Sequence, residues 1–152
     1  MQAIKPVVFK LNDEEYGVDI NKVHAIENIQ DVTRIPNTLS CIKGILNLRG
    51  DIIPVYDIRK RFGLEPVKDR NLAKLIVIKT KDMNIALEVD SVAEIDDIED
   101  EDIHNVPSIV RSKDTAYIDK IANVDGHLIV ILNLDELLTE QEYKEATKII
   151  EE

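Results

Sequence analysis

Apolar residues come along this chain in short, largely β-branched runs separated by polar knuckles, and that spacing predicts strands. Val7-Val8-Phe9 with Leu11 is the first run, and Tyr16-Gly17-Val18 follows the polar turn Asn12-Asp13-Glu14-Glu15. Further on, Ile45, Leu46 and Leu48 lead into the knuckle Arg49-Gly50-Asp51, and Ile52, Ile53, Val55 and Ile58 lead out. Apolar runs on either side of a Gly turn predict a β-hairpin. Pro54 has no N–H to donate, which places the second strand at an edge or gives it a bulge. Between these strands Asp19 predicts a capped short helix over residues 20–26, with Ile20, Val23 and Ile26 at i, i+3 and i+6. Val32-Thr33-Arg34-Ile35 reads as a strand stopped by Pro36, and residues 37–44 as a loop. Asp57 to Phe62 reads as a helical turn ended by Gly63. Residues 65–74 are a polar connection, after which Leu75-Ile76-Val77-Ile78 resumes strand character. Residues 107–117, with Pro107, Ser108, Ser112 and Thr115, predict a mobile loop. Residues 134–151 read as a C-terminal helix, with caps at Asn133/Glu136 and Thr139/Glu142. Its stripe of Tyr143, Ala146, Ile149 and Ile150 belongs against the chain's own core.

The pattern repeats. Lys10 to Ile26 aligns with Lys79 to Ile95 at an offset of 69, pairing Tyr16 with Ile85, Val18 with Leu87 and Val23 with Val92. The hairpin recurs at an offset of 76, so that Ile45-Leu46-Asn47-Leu48-Arg49-Gly50 becomes Ile121-Ala122-Asn123-Val124-Asp125-Gly126. Two copies of one β-rich unit are implied, each too small to bury much surface alone, so they share a core. Short, evenly spaced strands favour barrels over one large open sheet. The expected division is a first subdomain over about residues 12–75, a second over about 76–138, and the helix over about 134–151. Gly50 and Gly126 mark equivalent turns. Arg49 faces Asp125, the ordinary Asp-Gly hairpin residue, so Arg49 is what the first copy carries beyond turn chemistry.

Composition narrows the classes. The chain has 152 residues with 44% apolar and only 4% aromatic, so Ile, Val and Leu must fill the core. No apolar leader and no long apolar run is present, and Cys41 is the single cysteine, which together predict a cytoplasmic protein without disulfides. The net charge of −11 is uneven: residues 1–81 hold 14 Lys+Arg against 10 Asp+Glu, and residues 82–152 hold 5 against 20. The acidic half repels nucleic acid and anionic lipid surfaces, and the asymmetry suits a protein partner or a head-to-tail neighbour.

Catalytic patterns are absent from the sequence. His24, His104 and His127 are scattered, and no phosphate-binding glycine loop or G-x-S-x-G elbow occurs. Residues 94–102 carry seven acids in nine positions but lack the glycine at loop position 6 that an EF-hand needs, so a solvated acidic loop is expected there. No metal, cofactor or catalytic residue is assigned, and binding is the default function.

Asn47-Leu48-Arg49-Gly50, Ile53-Pro54-Val55 and Asp57-Ile58-Arg59, with Ile42-Lys43-Gly44 upstream, resemble the CheW-like coupling proteins of bacterial chemotaxis. Glu14 to Ile20 and Val32 to Ile35 match that family too, and the resemblance spans nearly the whole chain, residues 1–152, as a single CheW-like domain. It implies a mainly β fold of two intertwined five-stranded SH3-like β-barrels sharing a core, with short helices and a C-terminal helix. It also allows the N-terminal strand, residues 5–11, to cross to the second barrel. The implied function is that of a non-enzymatic adaptor coupling chemoreceptors to the histidine kinase CheA. It would work at the inner face of the membrane through receptor arrays, with other coupling-protein copies in rings. Family positions put receptor binding on Val23, Gly44, Arg49, Val92 and Ile95, with Gly44 allowing close approach of a partner backbone. Val23 and Val92 would line a groove between the barrels, with plain core packing as their competing role. Kinase binding would fall on His104 and Ile109, where the family often has Arg and Phe. A second departure is Ala25, where the family often has Glu in Val-x-Glu-Ile; Glu27 is the nearest acid.

Two other readings stand beside the adaptor: a small β-barrel enzyme with a metal held by residues 94–102, and a CheW-like regulatory module of another signalling complex. The acidic loop supplies the test of the first. Neither EDTA nor Ca²⁺ is expected to move the melting temperature of the purified chain. A Ca²⁺-dependent rise of several degrees would establish an ion site there.

Overall fold

The computed structural model describes residues 5–35, 41–65, 71–81, 83–94, 97–110, 112 and 115–151. The strands are β1 (Pro6–Leu11), β2 (Glu14–Asp19), β3 (Val23–Asn28), β4 (Ile42–Leu48), β5 (Asp51–Tyr56), β6 (Lys74–Thr80), β7 (Met83–Val89), β8 (Ser91–Glu94), β9 (Ile103–Asn105), β10 (Ile118–Val124) and β11 (His127–Leu132). Two α-helices accompany them, α1 (Ile58–Arg61) and α2 (Glu140–Glu151). One sheet runs β3-β6-β7-β5-β4 and the other β8-β1-β2-β11-β10-β9. The fold is mainly β, and the two sheets form two SH3-like barrels around a common core.

The two sheets are copies of each other in strand order. Offsets of 69 and 76 carry β1 and β2 onto β6 and β7, and β4 and β5 onto β10 and β11. Parallel pairing of Val55 with Ala86 in one barrel becomes that of Ile131 with Gly17 in the other. Each repeat lends its first hairpin to the other barrel: β1–β2 sits beside β11, and β6–β7 beside β5 and β3. The sheets therefore do not follow a division of the chain near residue 75. A hairpin's outer strand needs a neighbour for its free hydrogen-bonding edge, and here that neighbour comes from the other repeat. The second sheet has six strands instead of five because its equivalent of one contact is longer. In the first barrel the segment after β3 returns to β4, among the described residues, through one antiparallel bridge, Thr33 to Ile45, with N–H···O distances of 2.8 and 2.9 Å. In the second, the matching contact of His104 with Ile121 extends into β9.

Three apolar clusters follow from this topology. Leu46, Leu48, Ile53, Val55, Leu75, Val77 and Ala86 fill the first barrel. Val8, Ile98, Ala122, Ile129 and Ile131 fill the second. The largest lies between them and draws on both, with Phe9, Tyr16 and Val18 from one sheet and Ile76, Ile78, Ile85 and Leu87 from the other. Stacking runs through Phe9, Tyr16, Phe62 and Tyr117, at centroid distances of 5.7, 5.1 and 4.8 Å.

Several local expectations change. Residues 20–26 are not a helix: Asp19 caps only a 3-10 turn over Ile20–Lys22, and β3 begins at Val23. The β-branched residues pair with β6, and the sheet's ladder of hydrogen bonds outweighs a marginal single-turn helix. Val32–Ile35 is not a strand: its β-pairing among the described residues is the bridge at Thr33, and Pro36 lies outside the described residues. The C-terminal segment is a 3-10 turn over Leu134–Glu136 followed by α2, not one helix from residue 134. Thr139 separates them with the capping box: its N–H donates to Glu142 Oε1 at 2.9 Å, and Glu142 N–H donates to Thr139 Oγ1 at 3.1 Å. At 107–117, Val110 N–H closes a turn on the Pro107 carbonyl at 2.9 Å; residues 111, 113 and 114 lie outside the described residues.

Two polar nodes tie each barrel's exit segment to the opposite barrel. After β5, buried Arg59 donates to Asp90 Oδ1 at 2.6 Å, to the Glu65 carbonyl at 2.7 Å and to Asn12 Oδ1. After β11, Thr80 Oγ1 donates to the Leu134 carbonyl at 2.7 Å, and Tyr56 donates its hydroxyl proton to Glu142 Oε1 at 2.9 Å. Burial and the neighbouring Glu142 carboxylate hold the Tyr56 hydroxyl well above the ordinary tyrosine range.

Removing the Arg59 guanidinium leaves Asp90 and Asn12 without their partner, so Arg59→Ala is expected to cost about 3–5 kcal/mol in urea unfolding. Arg59→Lys restores the charge but not the three-way fork, and is expected to recover only part of that. Gly44 is the second sensitive position. A Cβ there would lie 2.3 Å from the Thr33 carbonyl oxygen, so Gly44→Ala is expected to destabilise by about 1–3 kcal/mol by forcing the bridge apart. Melting curves of the two variants check both figures.

Candidate partner-binding surface

The β4–β5 hairpin turns on two residues at positive φ, Arg49 at 53° and Gly50 at 93°. The β10–β11 hairpin does the same with Asp125 at 52° and Gly126 at 84°. Asn47 Oδ1 accepts from Gly50 N–H at 2.9 Å, and Asn123 Oδ1 accepts from Gly126 N–H at 3.2 Å. The two turns are built alike, and only the first residue differs in kind. Asp tolerates the left-handed conformation through local side-chain bonding; Arg gains nothing from it and pays about 1 kcal/mol.

Arg49 projects from this turn with its side chain 76% exposed. Its Nη2 lies 2.9 Å from Glu27 Oε1, on β3. Glu27 itself is largely covered, at 17% exposure. The pair spans the seam that the Thr33–Ile45 bridge closes, joining the turn after β4 to the sheet's other edge. Ala25 and Glu27 point to the same side of β3, since strand side chains alternate, and Ala25 packs on the first barrel's core. Glu27, the nearest acid to Ala25, therefore lies one step along on the same face of the strand. A helical reading of residues 20–26 hides that relation, because a helix puts positions 25 and 27 on different faces. Arg59 also escapes a sequence reading: nothing in Asp57-Ile58-Arg59 distinguishes a buried arginine from a solvated one.

Val23 and Val92 occupy matching places, each beside a core residue of the neighbouring strand, Ile78 and Phe9 respectively. Both are half-buried and pack on the shared core. Ile95 lies outside the described residues. Gly44 is buried, and the backbone that approaches it is the chain's own Thr33, not a partner's; its missing side chain serves barrel closure. A groove of about 560 Å³ borders the Arg49 turn. It runs between the turn and α2, lined by Asp51, Ile52, Ile53, Tyr143, Thr147 and Ile150. His104 and Ile109 lie on the second barrel, both exposed, with Ile109 at 93%. Among the described residues no three His, Cys, Asp or Glu side chains gather to hold a metal ion, and no helix is long and apolar enough to cross a membrane.

Known proteins place this architecture. The family model described as CheW-like domain matches residues 5–142. The chain is 32% identical over 136 residues to the chemotaxis protein CheW of Klebsiella aerogenes, covering 90% of this chain and 82% of that protein. It is 28% identical over 142 residues to CheW of Bacillus subtilis, covering 93% and 91%. The crystal structure of the scaffolding protein TtCheW from Thermoanaerobacter tengcongensis superposes with a TM-score of 0.83 at 37% identity, covering 93% of this chain and 96% of that one. On the strength of a match that runs from β1 into α2, the chain belongs to the CheW-like domain family.

Proposed function

We propose that this chain is a chemotaxis coupling adaptor, joining the cytoplasmic hairpin tip of chemoreceptors to the regulatory domain of CheA without catalysing a reaction. The observation that carries the reading is its likeness to CheW proteins along nearly its full length, in sequence and in barrel architecture. An adaptor must present separate faces, and the two barrels supply them. On the first, the exposed Arg49 fork suits a carboxylate or the carbonyl end of a partner helix. On the second, His104 and the bare Ile109 are the proposed kinase contacts. The placement is at the inner face of the membrane, through the receptors.

Charge supports contacts between unlike faces. The span that builds the first barrel, residues 20–90, holds 12 Lys+Arg and 9 Asp+Glu, while the rest of the chain holds 7 and 21. The barrels thus differ in sign, which favours heterologous, head-to-tail association with a domain of similar shape, the kind of contact that closes rings.

Arg49 supplies the test. Arg49→Asn places a residue that accepts positive φ in the turn, so its melting temperature is expected to equal or slightly exceed the parent's. Loss of an arginine anchor costs about 2 kcal/mol or more, so binding to a purified receptor cytoplasmic fragment is expected to fall well over tenfold. Gly50→Ala is the converse control: at φ 93° it is expected to melt lower, with binding lost only in step with folding. Unchanged binding by Arg49→Asn would remove Arg49 from the receptor face.

A further inference from the structure

We infer that the tip of the first hairpin, residues 46–53, is hinged at Pro54 and closes toward α2 over the groove that separates them. The inference holds whichever partner the Arg49 turn meets. Pro54 lies on β5, which has strand neighbours on both sides, β7 and β4. In the second barrel the matching parallel ladder pairs Ile129 with Glu15, Val130 with Tyr16 and Ile131 with Gly17. The repeat offsets turn these into Ile53 with Asn84, Pro54 with Ile85 and Val55 with Ala86. The first two are not formed: β5 and β7 pair at Val55–Ala86 and Tyr56–Leu87. Proline explains the loss. In a parallel ladder both missing pairs need the N–H of residue 54 as donor to the Asn84 carbonyl, and Pro54 has none, whereas Val130 supplies it in the second barrel.

The other side of the hairpin stops at the same level. On that side β4 is met by the Thr33 bridge at Ile45, and Ile45 is the cross-strand partner of Pro54. In the second hairpin both outer neighbours reach one rung nearer the turn, at Ala122 and at its partner Ile129. Residues 46–53 therefore have, among the described residues, no further strand beside them, and a two-stranded hairpin on its own is marginal in water. Leu46, Leu48 and Ile53 stay buried in the first barrel's core, so the tip pivots about the Ile45–Pro54 rung and does not melt away. Space for the movement exists where β5 and β7 part. There the groove of about 560 Å³ opens, with the tip on one wall and Tyr143, Thr147 and Ile150 of α2 on the other. Ile52 and Ile150 both line it and are 43% and 40% exposed. Closure takes these two side chains out of water together, which is its driving force.

Hydrogen exchange on the full chain tests the hinge. Leu48 and Asp51 face each other across the first turn as Val124 and His127 do across the second. The amides of Leu48 and Asp51 are expected to exchange roughly tenfold faster than those of Val124 and His127. Pro54→Val supplies the missing donor. It is expected to slow Leu48 and Asp51 to the rate of the second hairpin while Val124 and His127 stay as they were, which separates local closure of the ladder from a change in global stability. The closed position is tested by combining Ile52→Cys with Ile150→Cys, the native Cys41 being buried. Oxidised glutathione is expected to convert most of that double variant to the 52–150 disulfide, read by mass, and the bridge is expected to slow exchange at Leu48 and Asp51. Equal exchange in the two hairpins, or no slowing by Pro54→Val, would overturn the hinge. A double variant that forms no such disulfide would overturn closure onto α2.

Discussion

Neither repeat can satisfy its own first hairpin. The outer strands β2 and β7 each present an edge of unpaired backbone groups, and both edges are taken up by parallel pairing with a strand of the other repeat, β11 and β5. Backbone groups left unpaired in a core are costly, so this exchange is the condition for either barrel to exist. The shared apolar cluster is its consequence, because the exchanged hairpins bring Phe9 and Val18 against Ile76 and Leu87. A barrel of this size built from one repeat would lack that burial.

Polar chemistry fastens the exchange at both ends. Arg59 leaves the first barrel and binds the β1–β2 turn and Asp90; the Leu134–Glu142 segment leaves the second and is received by Thr80 and Tyr56. Arg59, Thr80 and Tyr56 are buried, and each polar group they bring in is hydrogen-bonded, as burial demands. The C-terminal helix is thereby part of the first barrel's wall, although its chain segment follows the second.

The proposed partner contact lies where the copies diverge. The turns at Gly50 and Gly126 are the same structure, down to the asparagine that caps each. Arg49 departs from turn preference in one copy only, where the other copy has Asp125, and it pairs with Glu27. Internal duplication in this way supplies a control that a single domain lacks: what both copies keep is needed by the barrel, and what one copy alone has is available for a partner.

The strands of the first hairpin and of the β4–β5 hairpin, the repeat, the two glycine turns, the Thr139–Glu142 capping box and the oddness of Arg49 were legible in the residues, because each depends on local periodicity or on backbone conformations within a few positions. The likeness to CheW-like proteins could be read there as well. Residues 20–26 were misleading at that level: Ile20, Val23 and Ile26 fit a helical spacing, and only pairing of β3 with β6, some fifty residues away in the chain, makes Val23 and Ile26 strand. That pairing in turn decided that Glu27 stands beside Ala25 on one face and meets Arg49. Gly44 likewise owes its role to Thr33 crossing its face, and Arg59 its burial to a turn in the other barrel. These are contacts between segments distant in sequence, so no window along the chain contains both partners. Which hairpin completes which barrel is a matter of tertiary pairing, settled by where unpaired edges and apolar faces find their complement.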